Sequence, residues 1–288
     1  MAHCDKIYNS LVQEVLGRGQ FREDRTGTGT LSTFGVHRTY NLKKGFPLVT
    51  TKHVAWKTAF SEMLWFLHGC PSDIEVPEEY IRDYKLAWKL WEPWGNDNSL
   101  SDPWGPIYGK QWHKHLLNGN RENPIDRLQK DLETNPFSRR LLLDCWNPAD
   151  LDDMALPPCH FAVQFYVRKP KKCKSKLYLD CQLYQRSADV CLGVPFNIAG
   201  YALFTHVLAN RCNPGKRLVA GKLHHSIGDA HIYVNHMAGI KEQMGRTPID
   251  NECHLSLPPM KPIEDLNLVD LKITNYKHHE KIQYEVSV

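Results

Sequence analysis

Apolar side chains recur at helical spacing over residues 4–16, where Ile7, Leu11, Val12, Val15 and Leu16 precede Gly17 and Gly19, as in an amphipathic helix with a glycine stop. Residues 54–67 predict a more apolar helix with Phe60, Met63, Leu64 and Leu67. Glu62 is set among them, and a carboxylate there needs a physical reason. Residues 125–132 predict a helix with Pro124 near its first turn. Residues 141–146, 161–167 and 177–184 predict strands, and 198–209 and 231–244 return to helical spacing. Residues 26–30, Thr-Gly-Thr-Gly-Thr, predict a mobile loop. The elements interleave irregularly, with a hairpin turn over 168–176. The pattern therefore predicts an α+β fold, a large mixed β-sheet packed with helices, rather than a regular βαβ repeat. No repeat or linker interrupts the chain, so residues 1–288 are expected to form a single domain.

Composition adds mainly exclusions. The 288 residues are 42% hydrophobic and 24% charged, an ordinary globular balance. The 36 Lys plus Arg against 32 Asp plus Glu leave a charge of +4, too slight a bias for a duplex-DNA binder; an anionic small molecule fits better. Nine cysteines, at 4, 70, 145, 159, 173, 181, 191, 212 and 253, include no C-x-x-C pair. They read as free thiols in a reducing cytoplasm, with no metal site expected. The amino terminus lacks a charged segment followed by an apolar run, and no stretch approaches the roughly 18 apolar residues of a membrane span. A soluble, cytoplasmic protein is expected.

The candidate chemistry concentrates in residues 156–197. Leu156-Pro157-Pro158-Cys159-His160 frames one thiol with two prolines that fix its backbone. Cys159 is either an activated nucleophile or, as most lone cysteines are, a small core residue. Arg186 and Ser187 follow an alternating strand; a guanidinium fork and a hydroxyl there suit a phosphate, or the arginine serves a surface ion pair. Asn197 precedes a helical segment, so it either caps that helix or reads a pyrimidine edge with its amide. Arg139 and Arg140 are adjacent, so in a strand they point to opposite faces, one toward this subunit and the other toward a neighbour. In Gly228-Asp229-Ala230-His231-Ile232-Tyr233, Asp229 is a candidate helix cap, while His231 and Tyr233 either bind a sugar hydroxyl or are structural. The basic run 168–176 reads as a solvated turn, with RNA or an anionic substrate tail as the other reading.

Taken in order, these motifs resemble the thymidylate synthase and pyrimidine hydroxymethylase family nearly end to end. The matching stretches include Asp24-Arg25-Thr26-Gly27-Thr28-Gly29-Thr30, Pro47-Leu48-Val49-Thr50-Thr51-Lys52, Glu62-Met63-Leu64-Trp65-Phe66-Leu67 and Gly105-Pro106-Ile107-Tyr108-Gly109-Lys110-Gln111-Trp112. Ser138-Arg139-Arg140, residues 154–160, residues 185–197 and residues 228–233 continue the match. Two departures stand out: Ala55 occupies a position where many members have histidine, and residues 71–104 are longer than and unlike the common pattern.

The resemblance implies that family's fold and a role for each matched residue. Cys159 adds to C6 of dUMP, turning C5 into a nucleophile toward 5,10-methylenetetrahydrofolate. Arg25, Arg186 and Ser187, with Arg139 and Arg140 of a second subunit in a homodimer, hold the phosphate. Asn197 reads the uracil edge, Glu62 handles a proton near O4, Tyr108 assists at C5, and His160 joins the ring-side hydrogen bonds. His231 and Tyr233 hold the ribose. Trp91, Trp94, Asp189, Leu192, Gly193 and Phe196 belong to the folate side, and Val288 ends a tail that folds over it. The expected activity is reductive methylation of dUMP to dTMP. A deoxypyrimidine 5-hydroxymethylase is the alternative in the same family, and a non-catalytic RNA-binding relative is the alternative outside catalysis.

Overall fold

The computed structural model describes residues 3–72, 78–95, 102–114, 123–170, 175–212, 218–250, 252–259 and 261–287. In chain order its helices are α1 (His3–Arg18), α2 (Trp56–Leu67), α3 (Glu78–Trp91), α4 (Tyr108–Trp112), α5 (Pro124–Thr134), α6 (Gly193–Arg211) and α7 (Met237–Gly245). Its strands are β1 (Gln20–Arg22), β2 (Thr30–Asn41), β3 (Leu142–Asp144), β4 (His160–Arg168), β5 (Leu177–Asp189), β6 (Leu218–Tyr233), β7 (His254–Ser256) and β8 (Lys272–Thr274).

Six strands form one mixed sheet in the order β1-β2-β6-β5-β4-β3. Strands β5 and β6 run parallel and the other neighbours antiparallel; β7 and β8 form a separate pair. This is the expected α+β arrangement. One sheet face meets α6, whose Val194, Ile198, Tyr201, Ala202, Phe204 and Leu208 are all buried. A helix apolar around most of its circumference has to lie in the interior. On the other face Gln182 bonds Ser226 (2.7 Å), His37 bonds Ser226 (2.9 Å), Thr39 bonds His224 (3.0 Å) and Tyr184 bonds Gln164 (3.2 Å). Tyr166 stands exposed on that face. Buried apolar side chains form one cluster running from Cys4 to Tyr284.

Local chemistry explains the elements that were predicted. In α1, Tyr8, Leu11, Val12 and Val15 are buried, and the buried Asp5 accepts hydrogen bonds from the Thr50 and Thr51 N–H groups and the Thr50 hydroxyl. In α5, Pro124 begins the helix and Asn123 caps it by accepting from the Asp126 N–H. Residues 26–30 are not left loose: the Asp24 carboxylate accepts from the Thr26 N–H, the Thr26 hydroxyl and the Gly29 N–H.

Four expectations are corrected. Residues 231–233 end β6, and helix begins only at Met237; His231 pairs with Ser32 on one side and Asp189 on the other, so sheet pairing outweighs helical spacing. Strand β5 runs on to Asp189 and α6 starts at Gly193. Arg139 and Arg140 lie in an exposed turn before β3, not in a strand. The turn is held by the Arg140 N–H donating to the Ser138 hydroxyl. Strand β3 itself covers only Leu142–Asp144. The predicted hairpin does join antiparallel β4 and β5, with residues 171–174 outside the described residues. Its Arg168 pairs with Asp180 and stacks on Tyr178, so that charge is already engaged.

Candidate active site

A cavity of about 280 Å³ opens where β5 and β6 end and α6 begins, roofed by residues of α2, α3 and α4. Cys159 lies in its wall, just before β4. Of the eight cysteines among the described residues it alone is not buried; Cys173 lies outside them. Prolines 157 and 158 have no N–H, but their carbonyls accept from the Arg186 guanidinium at 2.8 and 2.9 Å, which brings Nη2 to 3.9 Å from the thiol. Burial raises the Cys159 pKa, while Arg186 and Arg25 oppose that rise.

Around the thiol the hydrogen bonds are continuous. The Cys159 N–H donates to the buried Tyr108 hydroxyl at 2.8 Å. The His160 ring stacks on Tyr108 with centroids 4.2 Å apart, and its Nδ1 is 2.8 Å from the Tyr201 hydroxyl. Burial lowers the His160 pKa to about 3, so the imidazole is neutral at ordinary pH. Glu62 projects from α2 and accepts from Trp91 Nε1–H at 2.8 Å. Burial raises its carboxyl to about 7, with the Trp91 bond acting the other way. A carboxyl in this setting can hold or release a proton near neutrality.

Strand parity sets the next group. Gln185, Ser187 and Asp189 alternate along β5 and all line the cavity. Asn197 is the fifth residue of α6, not its cap; its Oδ1 accepts from Gln185 Nε2 at 3.0 Å. Asp189 Oδ1 accepts from the N–H groups of Cys191 and Leu192. Leu192, Gly193 and Phe196 continue this wall, with Trp91 and Trp94 also lining the cavity. Asp229, expected as a helix cap, lies in β6 and accepts from His231 Nδ1 at 3.1 Å, the Ser32 hydroxyl at 2.9 Å and Arg22. That bond leaves His231 Nε2 for the cavity, beside Tyr233.

The carboxy-terminal segment reaches the same place. Val286 and Ser287 line the cavity, the Glu285 carbonyl accepts from His236 Nε2 at 2.7 Å, and the Tyr284 hydroxyl donates to Gln243. Val288 lies outside the described residues. Ala55 stands just before α2 and caps nothing with its side chain. The distinctive segment 71–104 contributes α3 and its terminal Trp91; residues 73–77 and 96–101 lie outside the described residues.

Among the described residues, Asp189, Cys191 and His236 could offer three metal-ligand atoms within 4.8 Å of one another. The Lys52 ammonium bonds the Cys191 carbonyl at 2.6 Å, and a fixed positive charge there repels a cation. Arg139 and Arg140 do not line the cavity. Leu90, Leu156 and Gln185 line it without having been given a role, whereas Val286 and Ser287 belong to the tail that was expected to fold over the site. For Gln185 the signal was its two-residue spacing from Ser187.

The chain is similar to known proteins over nearly its whole length. The family model described as thymidylate synthase matches residues 6–288. A thymidylate synthase of Mesoplasma florum is 42% identical over 312 aligned positions, covering 98% of this chain and all of that protein. One of Coxiella burnetii is 41% identical over 290 positions, again covering 98% of this chain and the whole relative. With an α+β fold, a cavity-lining cysteine and full-length relatives of one kind, the chain belongs to the thymidylate synthase family.

Proposed function

We propose that the chain is a folate-dependent methyltransferase that converts dUMP to dTMP, and that its described residues act together as one catalytic domain. The observation that carries this is the accessible Cys159 thiol beside the Arg186 guanidinium, in a cavity that also holds Asn197 and Glu62. Arg25, Arg186 and Ser187 bind the phosphate dianion, so that binding energy remote from the reacting carbon holds the ring against the thiol. The sulfur of Cys159 bonds to C6, and the displaced electron pair moves toward C5 and O4. Glu62, half-protonated near pH 7, supplies a proton toward O4. His160, neutral and stacked on Tyr108, keeps the ring side ordered, and Tyr108 is the group nearest the thiol backbone for the C5 proton. His231, oriented by Asp229, binds the ribose hydroxyl with Tyr233.

The wall of Trp91, Trp94, Leu192 and Phe196 suits a flat pterin, and Asp189 retains one carboxylate oxygen with no partner among the described residues. The residues present thus fit 5,10-methylenetetrahydrofolate, with Gly193 allowing close approach and the tail residues Val286 and Ser287 beside the site. That molecule supplies the one-carbon unit and the hydride. Excluding water is the part of the chain's work that favours methyl over hydroxymethyl product.

Two observations support a homodimer. The sheet face bearing Tyr166, Gln164 and His224 has no helix of the described residues over it, and Arg139 and Arg140 are exposed away from their own cavity. Stacking two such faces would let each turn serve the other subunit's phosphate. Free thiols at all eight described cysteines fit a reducing cytoplasm. No helix among the described residues is long and apolar enough to cross a membrane.

Incubating the protein with dUMP and methylenetetrahydrofolate should yield dTMP and the absorbance rise of dihydrofolate. A 5-hydroxymethyl product without dihydrofolate would overturn the methylation reading. Mixing Arg139→Ala with Cys159→Ala protein should restore part of the activity through hybrid sites; no recovery after proven subunit exchange would rule out shared sites.

A further inference from the structure

An amide that reads a pyrimidine has an orientation problem. Uracil offers an acceptor at O4 and a donor at N3, whereas cytosine offers a donor at N4 and an acceptor at N3. A carboxamide satisfies either edge, because a half-turn exchanges its oxygen and its NH2 group. Asn197 alone would accept both bases.

In this molecule Asn197 is the end of a buried chain. Its Oδ1 accepts from Gln185 Nε2 at 3.0 Å, and Gln185 Oε1 is 2.8 Å from His225 Nε2. Gln185 is 4% exposed and His225 fully buried, so water does not substitute for either partner. The direction of the chain is decided at its far end. His225 Nδ1 has no hydrogen-bond partner among the described residues. A proton there would be a buried donor without an acceptor, a costlier fault than an unused lone pair. Burial holds the ring neutral, with its pKa lowered to about 3, so its one N–H proton lies on Nε2 and points at Gln185. Gln185 must then accept with Oε1 and donate with Nε2, and Asn197 must turn Oδ1 toward it.

We propose that His225 is a specificity-determining positioning residue, whose Nε2–H tautomer, relayed through Gln185, locks the flip of the Asn197 amide and so selects uracil over cytosine. This rests on the reading of the cavity as a dUMP site. Reversing the amide to suit cytosine would oppose two NH2 groups across the Gln185–Asn197 contact or, if Gln185 turned with it, two N–H donors at Gln185–His225.

The test is calorimetric binding of dUMP and dCMP to the full-length protein and to His225→Phe and His225→Gln. The phenylalanine variant should narrow the dCMP-to-dUMP ratio of Kd values by about tenfold, the equivalent of one misdirected hydrogen bond. Most of that change should come from tighter dCMP binding. Glutamine, whose side-chain N–H can replace Nε2–H, should restore most of the ratio. Equal weakening of both nucleotides, with the ratio unmoved, would mean a merely structural histidine and would overturn the proposal. Nitrogen NMR of labelled histidine provides a readout on the unmutated protein: a proton found on Nδ1 would also overturn it. If the unmutated protein failed to bind dUMP, the functional reading would fall and this inference with it; dUMP binding with an unmoved ratio would sink only the relay.

Discussion

Replacing Glu62 by glutamine tests how the cavity stores a proton. The carboxyl pKa is raised by burial from 4.5 to about 7, against the lowering effect of the Trp91 N–H bond. Below pH 4.5 the group is neutral in both folded and unfolded chains and costs nothing. Above it the unfolded chain ionises freely while the folded one keeps its proton, so stability falls with rising pH and levels off past about 7. The difference of 2.5 between 7 and 4.5 corresponds to about 3.4 kcal/mol, of which about 2.5 kcal/mol falls between pH 5 and 8. Part of Glu62 faces the open cavity, where water relieves the burial and trims the effect to ~2 kcal/mol. Glutamine keeps an acceptor for Trp91 and cannot ionise. Urea unfolding at one protein concentration should therefore show Glu62→Gln gaining about 2 kcal/mol on the parent between pH 5 and pH 8. Its kcat should fall and lose the titration near pH 7. Stability curves that stay parallel across this range would refute the raised carboxyl, and an unchanged kcat would remove Glu62 from proton handling.

Two further substitutions separate chemistry from folding. Cys159→Ser should bind dUMP within about threefold of the parent while turnover drops at least ~10⁴-fold; surviving turnover would point to another nucleophile. Gly105 has φ +69°, and a Cβ there would sit 2.0 Å from the Asp153 carbonyl oxygen. Gly105→Ala should accordingly cost about 3 kcal/mol or more in denaturant unfolding, and an unchanged midpoint would show that the turn yields.

Strands β4 and β5 were legible because their alternation reflects a helix-covered face opposite an open one. Strand β6 was not, although it lies at the centre of the sheet. Its open-face positions carry Lys222, His224 and Ser226, and its covered face carries His225, so polar residues occur on both sides and period-two contrast disappears. The same strand ends in His231-Ile232-Tyr233, whose spacing runs smoothly into helix α7; only pairing with β2 and β5 decides the matter, and pairing is tertiary. Arg139 and Arg140 failed similarly, because the residues beside β3 turn before they pair.

The site divides along a related line. Cys159, Arg186, Ser187, Asp189 and Asn197 were readable together because the turn before β4, the end of β5 and the first turns of α6 deliver them within 39 residues of chain. Glu62, Trp91 and Tyr108 come from three helices, and only resemblance joined them beforehand. Gln185 and His225 are the harder case. As residue types they read as surface, and what makes them interior is that each satisfies the other. A buried polar group costs more than it returns unless its partner is buried with it, so the pair is visible only once β5 and β6 lie side by side. Parity nevertheless put Gln185 on the face of Ser187 and Asp189. A glutamine forced inward by its strand position implies a partner somewhere in the fold, and the adjacent strand supplies one in His225.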